Sequence, residues 1–560
     1  MTKYQGCNVT DATHKTCIHN DWKTVVSKKK PVRGVTLTIG VFFDGTGNNR
    51  ENTASRLMRF NECSAQQQGV NQKDAQSCED FLKDITKDNL SNGSYRGYYS
   101  NIHWLNSLYI ADQTLLEEQT QAQIQTYISG IGTAAGKSDS AIGMGLGTSI
   151  LDVFEGVVTK TDEAMEGITH ALSEFMTFNL NPDFCIAKIQ FDVFGFSRGA
   201  AAARHFANRV MEQDSAIASA IVKGLRGDFY DGKPSGEVRF LGIFDTVAAI
   251  GGISNFFDIN GRSNPRVKLE LRPSVAQKVF QITAMNEYRY NFSLNSIQGM
   301  WPELALPGAH SDIGGGYNPV GSSFQENESL FMSCPEFEIV SDDTKETDTR
   351  VFRNAEKARE ILLSLPALKH ILPHGKVTTK TRSVAVINGN QSRAGMIQKQ
   401  VGAAVFFERM AIPNDWANVC LRVMLDAAEE AGVMFDPIRQ TNTELQLPFE
   451  LTQVAEKAIA QGKAVRQGQE PQAFTEEERL LIGKYTHCSA KWNIESDRNL
   501  WVDPKSGEIF IHRLGPKESK AFLFPNKPNG HWVRSVWYMD DQQRLNDNPV
   551  KDNKVMATNY

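Results

Sequence analysis

Apolar and polar positions change period sharply at one place in the chain. Ile186 to Phe194, IAKIQFDVF, is rich in Ile, Phe and Val and predicts a strand. Ala200, Ala203, Phe206, Ala207 and Val210 then recur at helical spacing and predict a helix directly after it. The runs Val35 to Phe43, VTLTIGVFF, and Val238 to Phe244, VRFLGIF, are continuously apolar, as in strands of a parallel sheet buried on both faces. Gln121 to Ser129 is also β-like. Helical sets occupy Tyr99 to Ile110 and Thr148 to Leu180, and a further helix is predicted around Val275 to Tyr288. Strands alternating with helices predict an α/β protein with a mainly parallel sheet flanked by helices.

Interruptions divide the chain. Residues 1–33 form a polar arm and 34–330 a catalytic core, in which 51–98, Gln- and Asn-rich and poorly periodic, is an insertion. Residues 331–474 form an accessory region, expected to be helical, and 475–560 a C-terminal segment able to pack back on the core. Gln461 to Phe474 reads as a hydrophilic linker, and Thr475-Glu476-Glu477-Glu478 as a capping box opening a helix. Trp501 to Phe524 predicts a hairpin. The run VGAAVFFERMAI, 401–412, is strongly apolar, and Trp416, Val419, Cys420, Val423, Met424 and Ala427 form a one-sided helical set.

Composition removes several functions. Net charge is −5 over 560 residues, with no basic stripe, which argues against a nucleic-acid surface. No window approaches 18 apolar residues, so no bilayer span is expected, and Met1 to Arg33 lacks the apolar stretch of a Sec signal, so the chain is expected to start in a cytoplasm. The eight cysteines have no C-x-x-C spacing, and neither a metal nor another cofactor is expected. Cys7 with Cys17 and Cys63 with Cys78 remain possible pairs under oxidising conditions.

The chemistry concentrates where strands end. Gly195-Phe196-Ser197-Arg198-Gly199 is a G-x-S-x-G elbow, whose glycines let strand and helix approach closely and lift a serine hydroxyl above the sheet. Asp245 ends an apolar strand, where an orienting carboxylate belongs, and His310 sits in the glycine-rich loop PGAHSDIGGGY. The order Ser197, Asp245, His310 is that of an α/β-hydrolase triad. A serine hydroxyl needs a histidine to accept its proton, and the histidine needs a carboxylate to fix its tautomer. Oxyanion donors are expected from the Arg198 amide and from Gly45 and Thr46 in the loop Asp44-Gly45-Thr46-Gly47. That loop also suggests a haloacid-dehalogenase phosphatase, but Phe42 stands where its nucleophilic aspartate is needed. Asp312 is read as a structural loop residue, and His103, His205, His370 and His487 as surface or packed.

Together FFDGTGNN, GIGT, GFSRGA, GIFDTV and PGAHSDIGGGY resemble, in motif and order, the first family of type VI secretion lipase effectors, antibacterial α/β-hydrolase phospholipases. The likeness covers roughly 34–317, with an echo at Tyr485 to Ala490. It implies Ser197 as nucleophile, Asp245 as acid and His310 as base. It further implies phospholipase A activity on a recipient cell's envelope lipids in the periplasm, delivery on the secretion spike and a cognate immunity protein. Such an enzyme needs an apolar surface beside its triad, and the 401–412 run with the 416–427 helix face, centred on Phe406, Phe407 and Trp416, is the candidate lid or membrane-contact surface, with Gly251 to Phe257, GGISNFF, a candidate for the entrance. A different carboxylester or thioester hydrolase, or a non-enzymatic partner of the secretion apparatus, is the alternative.

Overall fold

In a computed structural model the chain builds one central sheet with helices on both faces. The structure describes residues 8–11, 14–16, 32–66, 97–133, 150–179, 184–225, 230, 232–248, 267–289, 292–322, 327–386, 398–492, 500–502, 509–511, 528 and 532–539. The two possible cysteine pairs and the 251–257 entrance candidate have side chains outside that description.

Six strands run parallel in the spatial order Gln121–Ile128, Val32–Phe43, Phe184–Phe196, Glu237–Phe244, Lys278–Ala284 and Glu303–Leu306. An antiparallel pair, Asn8–Asp11 with His14–Thr16, joins the start of Val32–Phe43. The chain lays down Val32–Phe43, goes to its one side with Gln121–Ile128, and returns through the helix Ile150–Phe178 to the other side with Phe184–Phe196. Such a reversal of strand order opens a crevice at the strands' carboxyl ends, where open α/β sheets bind ligands. Here that crevice lies between Phe43 and Phe196.

Alternation along the strands assigns side chains to two cores. Val35, Leu37, Ile39, Val41 and Phe43 pack with the helices Ile150–Phe178 and Arg198–Met211. Phe42, Phe194, Phe240 and Phe280 face the opposite layer, with the helices Asn101–Leu108, Asp415–Glu430 and Thr452–Arg466.

Four expectations need correcting. The segment 275–288 contains the strand Lys278–Ala284, not a helix; KVFQITA satisfies either period, and the sheet offers its apolar residues a partner on both faces. Gln461 to Arg466 continues the helix Thr452–Arg466, whose face with Val454, Ala455 and Ala458 is buried. The accessory region is not all helical: strands Glu328–Phe331, Glu336–Ser341 and Lys376–Val386 all pair antiparallel with Gln398–Arg409, with the helix Arg350–Leu363 against them. Finally, the membrane-contact candidates are core. Phe407 and Trp416 are 0% exposed and Phe406 9%. Phe407 fills a cluster with Leu368 and Val405, the Trp416 indole N–H donates to Pro307 O at 2.6 Å, and Phe406 lies between Phe331 and the Lys380 ammonium. A one-sided apolar helix face here covers the sheet, its commonest use.

Other segments follow their patterns. The helix Glu476–Lys484 starts at a capping box in which Thr475 and Glu478 bond each other's backbone N–H groups. Within the anticipated 51–98 insertion a helix, Arg50–Gln66, begins, with Asn52, Thr53 and Arg56 buried. Leu500–Val502 and Ile509–Ile511 pair antiparallel.

Candidate active site

The elbow forms from the local demands of its residues. The strand Phe184–Phe196 ends at Ser197, and the helix Arg198–Met211 begins one residue later. Making that turn in one residue puts Ser197 at φ 59°, ψ −125°, a conformation costing a non-glycine residue about 1–3 kcal/mol. The surroundings hold it: Ser197 N–H donates to Phe244 O at 3.1 Å, and Ser197 O accepts from the amides of Ala200, Ala201 and Val247.

Both elbow glycines are required by contact. A Cβ on Gly195 would stand 2.5 Å from Gly199 O and 2.7 Å from Ala200 Cα, where the helix crosses its own strand. One on Gly199 would stand 2.4 Å from Phe43 O and 2.3 Å from Asp44 O, the end of the neighbouring strand. These neighbours are backbone and cannot swing aside. Gly199→Ala should therefore lower stability by about 1–3 kcal/mol or more and push the elbow away from the Asp44 loop. A thermal melt checks this, and an unchanged midpoint with full esterase activity would count against it.

Asp245 ends the next strand and lies beside the elbow, because Phe196 pairs with Phe244 in parallel register. It too has a positive φ, 43°, and is fully buried. Its Oδ1 accepts from Ala284 N–H at 2.9 Å, and its Oδ2 is hydrogen-bonded to His310 Nδ1. His310 opens the short helix His310–Gly314 after the last parallel strand. Its ring is held between Phe196, centroids 4.6 Å apart, and Phe292, 5.0 Å apart and near perpendicular. Its backbone N–H donates to Glu287 Oε2 at 3.2 Å. Thus the structure brings Ser197 and Asp245 to the carboxyl ends of adjoining strands, with His310 on the loop after the last parallel strand. Among the described residues no hydrogen bond joins Ser197 to His310; Phe196, the residue before the serine, bridges them by ring contact.

Burial lowers the basicity of His310 below that of a free histidine, opposed by the Asp245 hydrogen bond and charge. For Asp245 burial would raise the carboxyl, but the charge of Arg534 and the hydrogen bonds from His310 and Arg534 outweigh it and hold the group ionised, below the usual carboxylate range.

Across the crevice, Asp44 follows the strand Val32–Phe43. Burial pushes its carboxyl up to about 6, against hydrogen bonds from Ser100 at 2.6 Å, Tyr127 at 2.5 Å and Gly45 N–H at 2.7 Å. The last bond corrects an expectation: the Gly45 amide, expected as an oxyanion donor, is taken up by the side chain of Asp44. Thr46, one residue on, buries its Oγ1 without a partner among the described residues. The loop lies against the elbow, since Gly45 has room for no Cβ beside the Phe196 ring, 2.5 Å away. Arg198 supplies the first amide of the helix after the serine. Phe406, Phe407 and Trp416 stand outside the site as core residues, although Trp416, through Pro307 O, braces the loop that carries His310.

Sequence reading missed the ion pairs that surround this centre. Arg534 binds both Asp245 oxygens, and Glu287 is paired with Arg289 at 2.8 Å, whose guanidinium lies 3.2 Å over the Phe292 ring. Asp312, beyond being a loop residue, binds His487: its Oδ1 is 2.6 Å from His487 Nδ1, and its Oδ2 accepts the amides of Ala309 and His487, both at 2.8 Å. The adjoining HSDIGGGY motif and the short echo at Tyr485 to Ala490 were the signal for that second pair. Tyr317 stacks on His487 at 3.7 Å, closing the histidine loop against the C-terminal third of the chain. Among the described residues no His, Cys, Asp and Glu cluster could hold a metal ion.

Comparison with known proteins agrees with this architecture. Residues 226–333, which include Asp245 and His310, match the family model for the catalytic domain of Tle1-like phospholipase effectors of the type VI secretion system. A solved structure of the Tle1 effector bound to the VgrG spike of that system is 81% identical to this chain, with a TM-score of 0.76, over 96% of this chain and 100% of that one. An uncharacterized protein from Pseudomonas aeruginosa aligns at 17% identity and a TM-score of 0.33, over 81% of this chain and 53% of its own. No curated protein matches. The parallel sheet, the serine elbow at its switch point and the 81% identity along almost the whole length lead to one assignment: the chain belongs to the family of Tle1-like phospholipase effectors of the type VI secretion system.

Proposed function

We propose that this effector is a serine-triad phospholipase A, attacking the sn-1 ester, the sn-2 ester or both in membrane glycerophospholipids. The observation that carries the reading is Ser197 at φ 59°, ψ −125° between strand and helix, one strand away from an Asp245 hydrogen-bonded to His310. In the proposed reaction His310 Nε2 takes the hydroxyl proton as Ser197 Oγ attacks the ester carbonyl. Asp245 fixes the imidazole with Nδ1 protonated and stabilises the imidazolium. The Arg198 amide and Thr46 bind the oxyanion. Collapse expels the lysophospholipid alkoxide, which receives the proton from His310, and leaves Ser197 acylated. Water, deprotonated by His310, then releases the fatty acid and restores the serine. Hydrogen bonds of an unliganded serine–histidine pair are commonly long and tighten on substrate.

Delivery by the spike, to which the 81%-identical relative is bound, and action from the recipient's periplasm belong to the same reading, as does a cognate immunity protein. No helix of the described residues is long and apolar enough to cross a membrane.

Vesicles of phosphatidylethanolamine and phosphatidylglycerol, labelled separately at sn-1 and sn-2, test the substrate. Release of labelled fatty acid supports the reading and gives the regiochemistry. Hydrolysis of a soluble ester with no release from vesicles would replace the phospholipase with another carboxylester or thioester hydrolase.

The pH dependence follows from burial of the base. His310 must be neutral to accept a proton, and its pKa lies below the free value of about 6.5. The acid limb of kcat/KM should therefore fall below that pH, leaving activity through mildly acidic conditions. An acid limb at or above the free-histidine value would contradict this.

A further inference from the structure

The C-terminal tail reaches the proposed catalytic carboxylate across 289 positions of sequence. Arg534 is buried, and its donors are all directed inward. Nη1 donates to Asp245 Oδ1 at 2.6 Å and to Ala284 O at 3.2 Å. Nη2 donates to Asp245 Oδ2 at 2.8 Å, and Nε to Phe292 O at 2.9 Å. The guanidinium thus joins three parts of the site: the carboxylate, the end of the strand Lys278–Ala284 that also donates to it, and the residue whose ring packs on His310.

The tail that delivers Arg534 is anchored on both its backbone and its side chains. Val536–Trp537 forms a parallel pair with Leu294–Asn295, with Leu294 N–H donating to Ser535 O and Ser296 N–H to Trp537 O, both at 2.9 Å. The Asn295 amide in turn donates to Thr246 O, next to Asp245. Trp537 and Met539 are buried in the core beneath the helix Arg198–Met211, and Met539 Sδ accepts from Leu271 N–H.

We propose that Arg534 is a positioning residue of the hydrolytic centre, and that the C-terminal strap exists at least partly to supply it. The inference rests on the Ser197, Asp245, His310 reading. Asp245 has a positive φ, so regular strand geometry does not aim its side chain. A bidentate guanidinium fork fixes the plane of a carboxylate in a way that a single donor cannot. It leaves Oδ2 turned to His310 Nδ1, which selects the tautomer with Nε2 free to act as base. The fork also withdraws charge from the carboxylate and so restrains the basicity of His310. The charged groups around that imidazole are Asp245 and Glu287, which favour its protonated form, and Arg289, which opposes it, while Arg534 acts on it through Asp245; Phe196 and Phe292 supply its uncharged walls.

A buried ion pair that served stability alone would affect melting but not the pH profile. The full-length protein with Arg534→Gln and with Arg534→Lys, beside Ser197→Ala, is assayed on a soluble short-chain ester across pH, with folding followed by circular dichroism. Arg534→Gln should lower kcat roughly 10- to 100-fold, with KM within about twofold of wild type, as for other partners that orient a functional group. Its acid limb should move up by about one pH unit, because the countercharge on Asp245 is gone. Arg534→Lys, which keeps the charge and loses the fork, should fall between. Folded variants with the wild-type kcat and acid limb would overturn the proposal, as would failure of both to fold, which assigns Arg534 to stability. If Ser197→Ala retains activity, the triad reading itself fails; if only that variant is inactive, the triad stands and the role of Arg534 falls.

Discussion

Ser197→Ala should reduce turnover of a soluble ester by roughly 10⁶-fold, the scale on which loss of a triad nucleophile is felt when only oxyanion binding and substrate positioning remain. The change deletes one oxygen at a buried turn and disturbs no backbone partner, so the protein should still fold. Ser197→Gly separates strain from chemistry. Glycine adopts φ 59° without the cost a side chain meets, so this variant should be as inactive as the alanine and more stable by about 1–3 kcal/mol. Stabilisation together with inactivation would show that the strain is maintained for the serine. Retained turnover in either variant would remove Ser197 from the reaction.

The second large effect is expected at Asp245, where catalysis and stability are lost together. Asp245→Asn preserves shape but offers His310 an amide, and such a change at a triad acid lowers kcat by about 10⁴. It also leaves Arg534 buried without its carboxylate, and breaking a buried pair in this way costs about 3–5 kcal/mol. The cost should depend on pH in a defined direction. The folded-state pKa of Asp245 is depressed, so its contribution is complete above the unfolded value of about 3.9 and is lost as pH falls toward the folded one. Wild type and Asp245→Asn should therefore differ most near neutrality and converge on acidification. Melting curves at several pH values measure this, and a deficit constant down to strong acid would mean that the carboxylate charge is not what Arg534 requires.

How much of this was legible in the sequence depended on how local the determinants were. The elbow was readable because a strand period, a glycine-flanked serine and a helix period occur within 25 positions, and the glycines answer to contacts inside that motif and with the adjoining strand end. Asp245 and His310 were readable because apolar runs reveal strand ends, and strand ends are where such sheets place their chemistry. Arg534 was not: nothing near it in sequence marks it, and its function arises only when a short parallel pairing returns the tail to Leu294. The strand Lys278–Ala284 was misread because seven residues are too few to separate a strand from a buried helix by period. Phe407 and Trp416 suggested a membrane surface because an apolar stripe does not reveal its partner, which proves to be the protein's own sheet and its antiparallel accessory layer. Gly45 was the subtler error. The loop lies where an oxyanion site is expected, but Asp44 bends back on the amide, a detail of one side-chain torsion that residue spacing does not encode.

In the proposed reaction one serine, activated by His310, carries the acyl group. Reaction with a fluorophosphonate followed by peptide mass spectrometry tests it most directly, because the reagent forms a stable adduct only with an activated nucleophile. A single adduct is expected on the peptide carrying Ser197, formed at a much lower rate in His310→Ala. An adduct on another residue, or continued ester hydrolysis by protein fully modified at Ser197, would contradict it.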